Sequence, residues 1–455
     1  MQKTLLRKFA LVIVLCLLAQ VPLTLVTGIV NERKGLRDGV VRALAQERVG
    51  PQVIRGPVLL VPYRVRQVEV TQEIREGRKV EVKKERDSEG RLFFLPEELA
   101  VKGGLAPDER RRGIYKAQAW SGQWTLRGRF EIPAHYGVGV GQENYRFGTP
   151  ELGLGIADPR GIAPGLALSL NGASVQLEAG NSVPGLGRGV HAKLAGGGAD
   201  RQARSIEFEF RLALAGLESV QFLPTGRSSR VEAESAWPHP NFSGSVLAEH
   251  EVGAQGFRAA WKTSFLSSDL QRQYADCFHR DKCQGFEALA FGVSFIQPVD
   301  LYQRLERTTK YGLLFIGLTF MVFLLYDILK RLPIHPVQYG LVGVALALFY
   351  LLLTSLSEHI AFGYAYAGAA TACVLLIAFY AAHVLASLAR AALLGLMLGA
   401  LYAVLYVILL SEQHSLLMGS VLLFAVVAAI MVGTRRVNWY ALGSTSILEN
   451  ANVKS

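Results

Sequence analysis

Two acid and histidine pairs are the side chains best suited to chemistry in the apolar part of this sequence. Glu358 and His359 stand in Ser357-Glu358-His359, and Glu412 and His414 in Ser411-Glu412-Gln413-His414-Ser415, each between long apolar runs. A carboxylate beside an imidazole can move protons near neutral pH, where histidine changes charge. The same residue types ligate zinc when a third ligand and an open position are present. Both segments carry the order Ser, Glu, His after an apolar run, so a shared polar cluster of Glu358, His359, Glu412 and His414 is one expectation. The alternative is two independent turns, solvated at helix ends.

Cys277 and Cys283, in Asp276-Cys277-Phe278-His279-Arg280-Asp281-Lys282-Cys283, have a spacing that fits neither C-x-x-C nor a zinc pattern. In an oxidising compartment such a pair forms a disulfide that staples one loop. Free thiols, or a metal site joined by His279, are the alternatives. The sequence contains no H-E-x-x-H, G-x-S-x-G, Walker or EF-hand motif. Gly153-Leu154-Gly155-Ile156-Ala157-Asp158 begins like a dinucleotide loop but lacks a strand-turn-helix context, and Leu223-Pro224-Thr225-Gly226 reads as a turn. The expectation is therefore a protein that is not an enzyme, with no catalytic residues, no metal and no cofactor.

The elements that carry these residues follow from hydropathy. With 51% hydrophobic residues and a mean hydropathy of +0.26, the 455-residue chain is too apolar for an ordinary soluble protein. Six apolar runs, at about 9–30, 312–329, 339–356, 360–382, 391–410 and 416–433, approach the ~20 residues that a bilayer-spanning helix needs. Six spans put both termini on one side. Lys3, Arg7, Lys8, Lys330, Arg331, Arg390, Arg435 and Arg436 all flank the same face, whereas the two short loops on the other face, which hold Glu358 and Glu412, contain no Lys or Arg. Positive charge near helix ends stays in the cytoplasm, so the expected topology is N-in and C-in. The first apolar run is longer than a signal-peptide core and no A-x-A pattern closes it, which favours an uncleaved anchor.

The expected organisation is a signal-anchor helix over 1–30, a periplasmic domain over 31–311, a five-helix bundle over 312–434 and a cytoplasmic tail over 435–455. Of the net charge of +11, the outer domain holds 39 basic and 33 acidic residues, a net +6. No basic run interleaved with aromatics points to nucleic acid; the lipid bilayer and an unidentified periplasmic or inner-membrane protein are the expected partners. Glu32 to Val49 extends the first helix as a stalk until Gly50-Pro51. Beyond it the pattern is strand, as in Ser205-Ile206-Glu207-Phe208-Glu209-Phe210-Arg211-Leu212, where apolar and polar residues alternate. The fold class is thus a membrane α-helical bundle of six transmembrane helices plus a β-rich extracytoplasmic domain of sandwich or open-sheet type.

Several motifs resemble the CreD family of inner-membrane proteins. They are Gln221-Phe222-Leu223-Pro224-Thr225-Gly226, Ser235-Ala236-Trp237-Pro238-His239-Pro240-Asn241-Phe242-Ser243-Gly244, Ile334-His335-Pro336-Val337-Gln338-Tyr339, Leu356-Ser357-Glu358-His359-Ile360 and Thr434-Arg435-Arg436-Val437-Asn438-Trp439-Tyr440. The resemblance runs from about Arg55 to Tyr440. It implies a role in cell-envelope integrity, associated with envelope-stress signalling, and supplies no catalytic residues. Two functional readings follow: partner binding through the outer domain without catalysis, or a transporter or proton-coupled device using Glu358, His359, Glu412 and His414. A metal-dependent membrane hydrolase built on the same four residues lacks a recognisable ligand spacing.

Overall fold

The computed structural model describes residues 2–75, 78–139, 144–194, 202–266, 270–280, 282–295, 301–330, 335–384, 387–410 and 415–435. The chain forms two compact units, one of Met1–Asp38 with Val299–Ser455 and the other of Gly39–Pro298. Its helices are α1 (Gln2–Glu47), α2 (Leu270–Arg280), α3 (Gln284–Glu287), α4 (Leu301–Lys330), α5 (Pro336–Ser357), α6 (Phe362–Val384), α7 (Leu388–Leu410) and α8 (Ser415–Thr434).

Among the described residues five helices, in α1, α4, α5, α6 and α7, are long and apolar enough to cross a membrane; the apolar part of α8, Leu417–Ala428, is shorter. Six spans are expected; five helices of that length are found among the described residues, and the sixth expected span coincides with the shorter α8. Helix α4 begins at Leu301, ahead of the boundary expected at 312. Its first turns are amphipathic, burying Tyr302, Leu305, Thr308 and Thr309 while Gln303 and Lys310 are exposed, so a criterion of continuous apolar length passes over them. Small residues let α5, α6 and α7 approach closely: α6 buries Ala365, Ala369, Cys373, Ile377 and Ala381 on one stripe. A polar chain crosses the three helices, from Tyr366 Oη to Tyr402 O (2.7 Å), Tyr402 Oη to Cys373 Sγ (3.4 Å) and Cys373 Sγ to Ala345 O (3.4 Å). His335 is the N-cap of α5, where its Nδ1 accepts from Val337 N (3.3 Å) and Gln338 Oε1 accepts from His335 N (3.0 Å).

The other unit is built on two mixed sheets. The first runs Pro240–Gly244, Phe291–Phe295, Ser219–Pro224, Gln52–Arg75, Glu151–Ile156, Gly189–Lys193, Glu178–Ala179, with Arg78–Phe94 and Tyr145–Phe147 also paired to Gln52–Arg75. The second runs Glu249–Gly253, Gly256–Ser264, Ser228–Ser235, Glu98–Arg112, Tyr115–Ile132, Arg204–Leu217, Ala167–Leu170, Ala173–Val175. Most pairs are antiparallel; Gln52 to Gly56 lies parallel to Val220 to Pro224, and Ser228 to Ser235 parallel to Glu98 to Leu105. The alternation in Arg204–Leu217 buries Ile206, Phe208, Phe210, Leu212 and Leu214, as period-2 geometry requires of a sheet with one wet face.

One buried cluster draws on both sheets, with Leu59, Val61, Phe222 and Val293 from the first and Trp124, Leu126, Phe210 and Trp261 from the second. Gln52–Arg75 and Arg78–Phe94 pair in register from Leu59 opposite Phe94 to Arg75 opposite Arg78. A smaller cluster, including Val58, Leu60, Leu223, Phe278 and Phe286, lies under α2 and α3. There Cys277 and Cys283 are joined as a disulfide, with Cα atoms 4.2 Å apart.

Candidate functional site

In the helical unit the chemistry gathers where α1, α4 and the end of α5 present charged residues beside one another. Glu358 is the C-cap of α5, and its side chain is only 10% exposed. Arg33 Nε of α1 lies 3.5 Å from Glu358 Oε1, an oxygen that accepts no hydrogen bond. Lys34 and Lys310 flank Glu306 at 3.9 Å and 2.8 Å, and the Arg37 guanidinium stands 5.9 Å from the Tyr302 ring. His359 is exposed and anchored through its backbone N–H to Leu356 O (3.0 Å). Glu412 and His414 fall outside the described residues. The structure thus sets Glu358 against a guanidinium from α1, a partner that sequence spacing could not reveal because the two lie more than 300 positions apart.

In the β-rich unit a groove of about 1210 Å³ lies on the outward face of the second sheet. Its floor comes from three adjacent strands, with Gly104 opposite Gln123, Ala106 opposite Ser121, Gln123 opposite Ala213 and Ser121 opposite Ala215. Glu234, Glu251 and Arg258 stand along one wall, and Arg258 Nε is 3.6 Å from Glu234 Oε2. Further along the same strands the face is carpeted with ion pairs: Lys102 with Glu232 (3.9 Å), Arg127 with Glu209 (3.0 Å) and Arg211 with Glu209 (2.6 Å). The face therefore changes from charged to nearly bare backbone within about four residues, roughly 13 Å of strand. Such a surface leaves room for another chain's groups to reach peptide and small side-chain atoms. Its lining combines small side chains with the hydroxyls of Ser121, Thr125 and Ser235 and the charges of Glu234, Glu251 and Arg258.

Beside the groove the end of α1 is locked to the sheets. Leu44, Ala117, Ala119 and Leu217 form a small buried cluster, joined by Val40, Val41 and Ala45. Arg160 donates from Nη1 to Gln46 O (2.6 Å) and from Nη2 to Ala45 O (3.2 Å), satisfying carbonyls that the end of a helix leaves open. Asp158 accepts from Arg160 Nε (2.8 Å), Arg160 Nη2 (2.6 Å), Arg160 N (3.2 Å) and Gly50 N (3.1 Å). The Arg160 guanidinium and the backbone donors hold the Asp158 carboxyl down at about 2, against the opposing effect of burial.

Trp237 is half-buried, packed beside the main core; its Nε1 donates to His239 O (2.8 Å) and its ring meets Phe295 edge-on at 6.3 Å. It is a packing element with a satisfied polar tip rather than an open contact surface. Sequence reasoning missed both the groove and the Asp158 lock. The signal for the groove was present in Leu212-Ala213-Leu214-Ala215, where every outward position is small.

The family described as inner membrane protein CreD matches residues 4–440. The chain belongs to the CreD family. The inner membrane protein CreD of Escherichia coli (strain K12) is 34% identical over 427 residues, which cover 93% of this chain and 91% of that one. With its several long apolar helices this CreD family member is a multi-pass inner-membrane protein. Solved M1 zinc metallopeptidases from Deinococcus radiodurans share 9% to 12% identity over 37% of this chain and 38% of theirs, with TM-scores of 0.16 to 0.17. Similarity that low carries no argument about fold or chemistry.

Proposed function

We propose that this CreD family protein serves cell-envelope integrity by binding a periplasmic or membrane partner through its β-rich unit, without catalysis. The observation that carries the reading is the groove floored by Gly104, Ala106, Ser121, Ala213 and Ala215 on an otherwise ion-paired sheet face. Rigid sheets that present a shaped, sparsely charged surface are suited to recognition. Two sheets sharing one core support a sandwich-type architecture for this unit. The Lys and Arg asymmetry supports an N-in, C-in topology with this unit in the periplasm. The Arg33 and Glu358 pair favours a structural role for that carboxylate over a proton path.

Filling the groove tests the reading. Ala213→Trp, at an outward position, should leave the unit folded and sensitise cells carrying it as their sole copy to detergents and other envelope stress. Wild-type resistance in a folded Ala213→Trp protein would overturn the assignment of the groove.

A further inference from the structure

A separate observation in the helical unit points to a lipid. Residues 31–38, 301–310 and Glu358 contain six basic and four acidic side chains. Arg33, Lys34, Arg37 and Lys310 all have ion-pair partners: Glu358, Glu306, Asp38 and Glu306. Arg304 and Arg307, one helical turn apart on α4, have no ion pair within 4 Å among the described residues, and Arg304 Nε and Arg307 Nη1 are buried without a hydrogen-bond partner. A guanidinium stays protonated at any accessible pH, so these buried donors call for an acceptor.

The Arg304 guanidinium lies 5.6 Å from the ring of Phe362, the first residue of α6. Beside Phe362, at Ala361 and Gly363, begins a groove of about 710 Å³ between α6 and α7. It continues past Ala367 and Ala403 to Leu375, with Tyr364 and Tyr406 on its sides. From Ala361 to Leu375 the helix rises about 21 Å, more than half of the roughly 30 Å hydrocarbon thickness. Cations without an ion pair at the head and an apolar groove long enough for an acyl chain below match the two ends of a phospholipid. The first turn of α6 adds the positive end of its dipole near the same place.

We propose that the helical unit holds a phospholipid in a fixed pose, its phosphate on Arg304 and Arg307 and one acyl chain in the groove between α6 and α7. The fork geometry of two guanidinium groups suits phosphate oxygens, and the small side chains of the groove let a chain lie against the helix backbones.

The test uses the full chain, purified in detergent and stripped of lipid, with binding read by native mass spectrometry. Three probes separate the sources of affinity: phosphatidylglycerol, diacylglycerol with the same chains, and inorganic phosphate. Phosphatidylglycerol should be retained at one copy and bind at least tenfold more tightly than either other probe. Arg304→Gln with Arg307→Gln should weaken it at least tenfold. Ala403→Trp, which fills the groove and leaves both arginines in place, should weaken it as well, so the proposal stays testable if the arginine variants fail to fold. Equal binding of diacylglycerol, equal binding of inorganic phosphate, or undiminished phosphatidylglycerol binding in Ala403→Trp would each overturn the proposal.

Discussion

Replacing Asp158 with Asn should weaken the β-rich unit at neutral pH and leave it almost unaffected in strong acid. In the folded chain the Asp158 carboxyl is held at about 2, against an ordinary value of 3.8. At 1.36 kcal/mol per unit, that depression corresponds to about 2 kcal/mol of stabilisation by the charged form. The Asp158 side chain is 12% exposed but that of Arg160 is 51% exposed, so solvent screening makes about 2 kcal/mol the upper bound. Because the folded value lies below the unfolded one, the stabilisation is complete above about pH 4 and is lost as pH falls towards 2. Asn keeps the shape and one acceptor but loses the charge-assisted bonds to Arg160 and Gly50 N. Urea unfolding of the full chain in mild detergent, followed by tryptophan fluorescence, reports on this unit through Trp120, Trp124 and Trp261, which are at most 2% exposed. With an m-value of about 2–3 kcal/mol/M, the midpoint of Asp158→Asn should fall by at most about 0.7–1 M at pH 7. The gap to wild type should narrow steadily between pH 4 and pH 2. Arg160→Gln should remove most of the same increment, and the double variant should add little to either single change. A gap that stays constant from pH 7 to pH 2, or one below about 0.5 kcal/mol at pH 7, would refute the role given to the Asp158 charge.

A methyl group at Gly103 would overlap the Trp124 ring and crowd the backbone oxygen of Gln123; Gly103→Ala should therefore cost about 1–3 kcal/mol by overpacking, with partial recovery in Gly103→Ala combined with Trp124→Phe, measured by the same unfolding assay. Cys277 and Cys283 should resist maleimide labelling in the untreated protein and react after reduction, with a loss of about 2 kcal/mol expected for a loop this short. Glu358→Gln should cost less than about 1 kcal/mol, since its partner Arg33 is 43% exposed and can turn to water. If the two acid and histidine pairs act together, the double variant Glu358→Gln and Glu412→Gln should raise envelope sensitivity, whereas full resistance would remove them from the functional account. Single cysteines at 3, 335, 390 and 455 should be labelled only after permeabilisation and one at 250 in intact spheroplasts; labelling of position 335 from outside would reverse the topology.

The membrane character of the chain, the position of α5, α6 and α7 and the strand pattern of the β-rich unit were all legible in the sequence. Each is a local consequence of hydropathy and period: a run of about 20 apolar residues can only be a buried helix, and alternation as in Ile206 to Leu214 can only suit a half-covered strand. The resemblance carried by Trp237-Pro238-His239-Pro240 and similar motifs supplied the family. What local pattern could not supply was partnership across distance. Helix α4 starts at Leu301 because its amphipathic first turns find a covered side, which only packing decides. Arg33 meets Glu358, Arg160 caps the end of α1, and Ala213 joins Gly104 and Ser121 in one groove through contacts between segments far apart in the chain. Arg304 and Arg307 carry no distinguishing signal in the sequence. That Arg304 Nε and Arg307 Nη1 are left without a hydrogen-bond partner is decided only once α4 is packed, because a charge loses its water when its neighbours surround it.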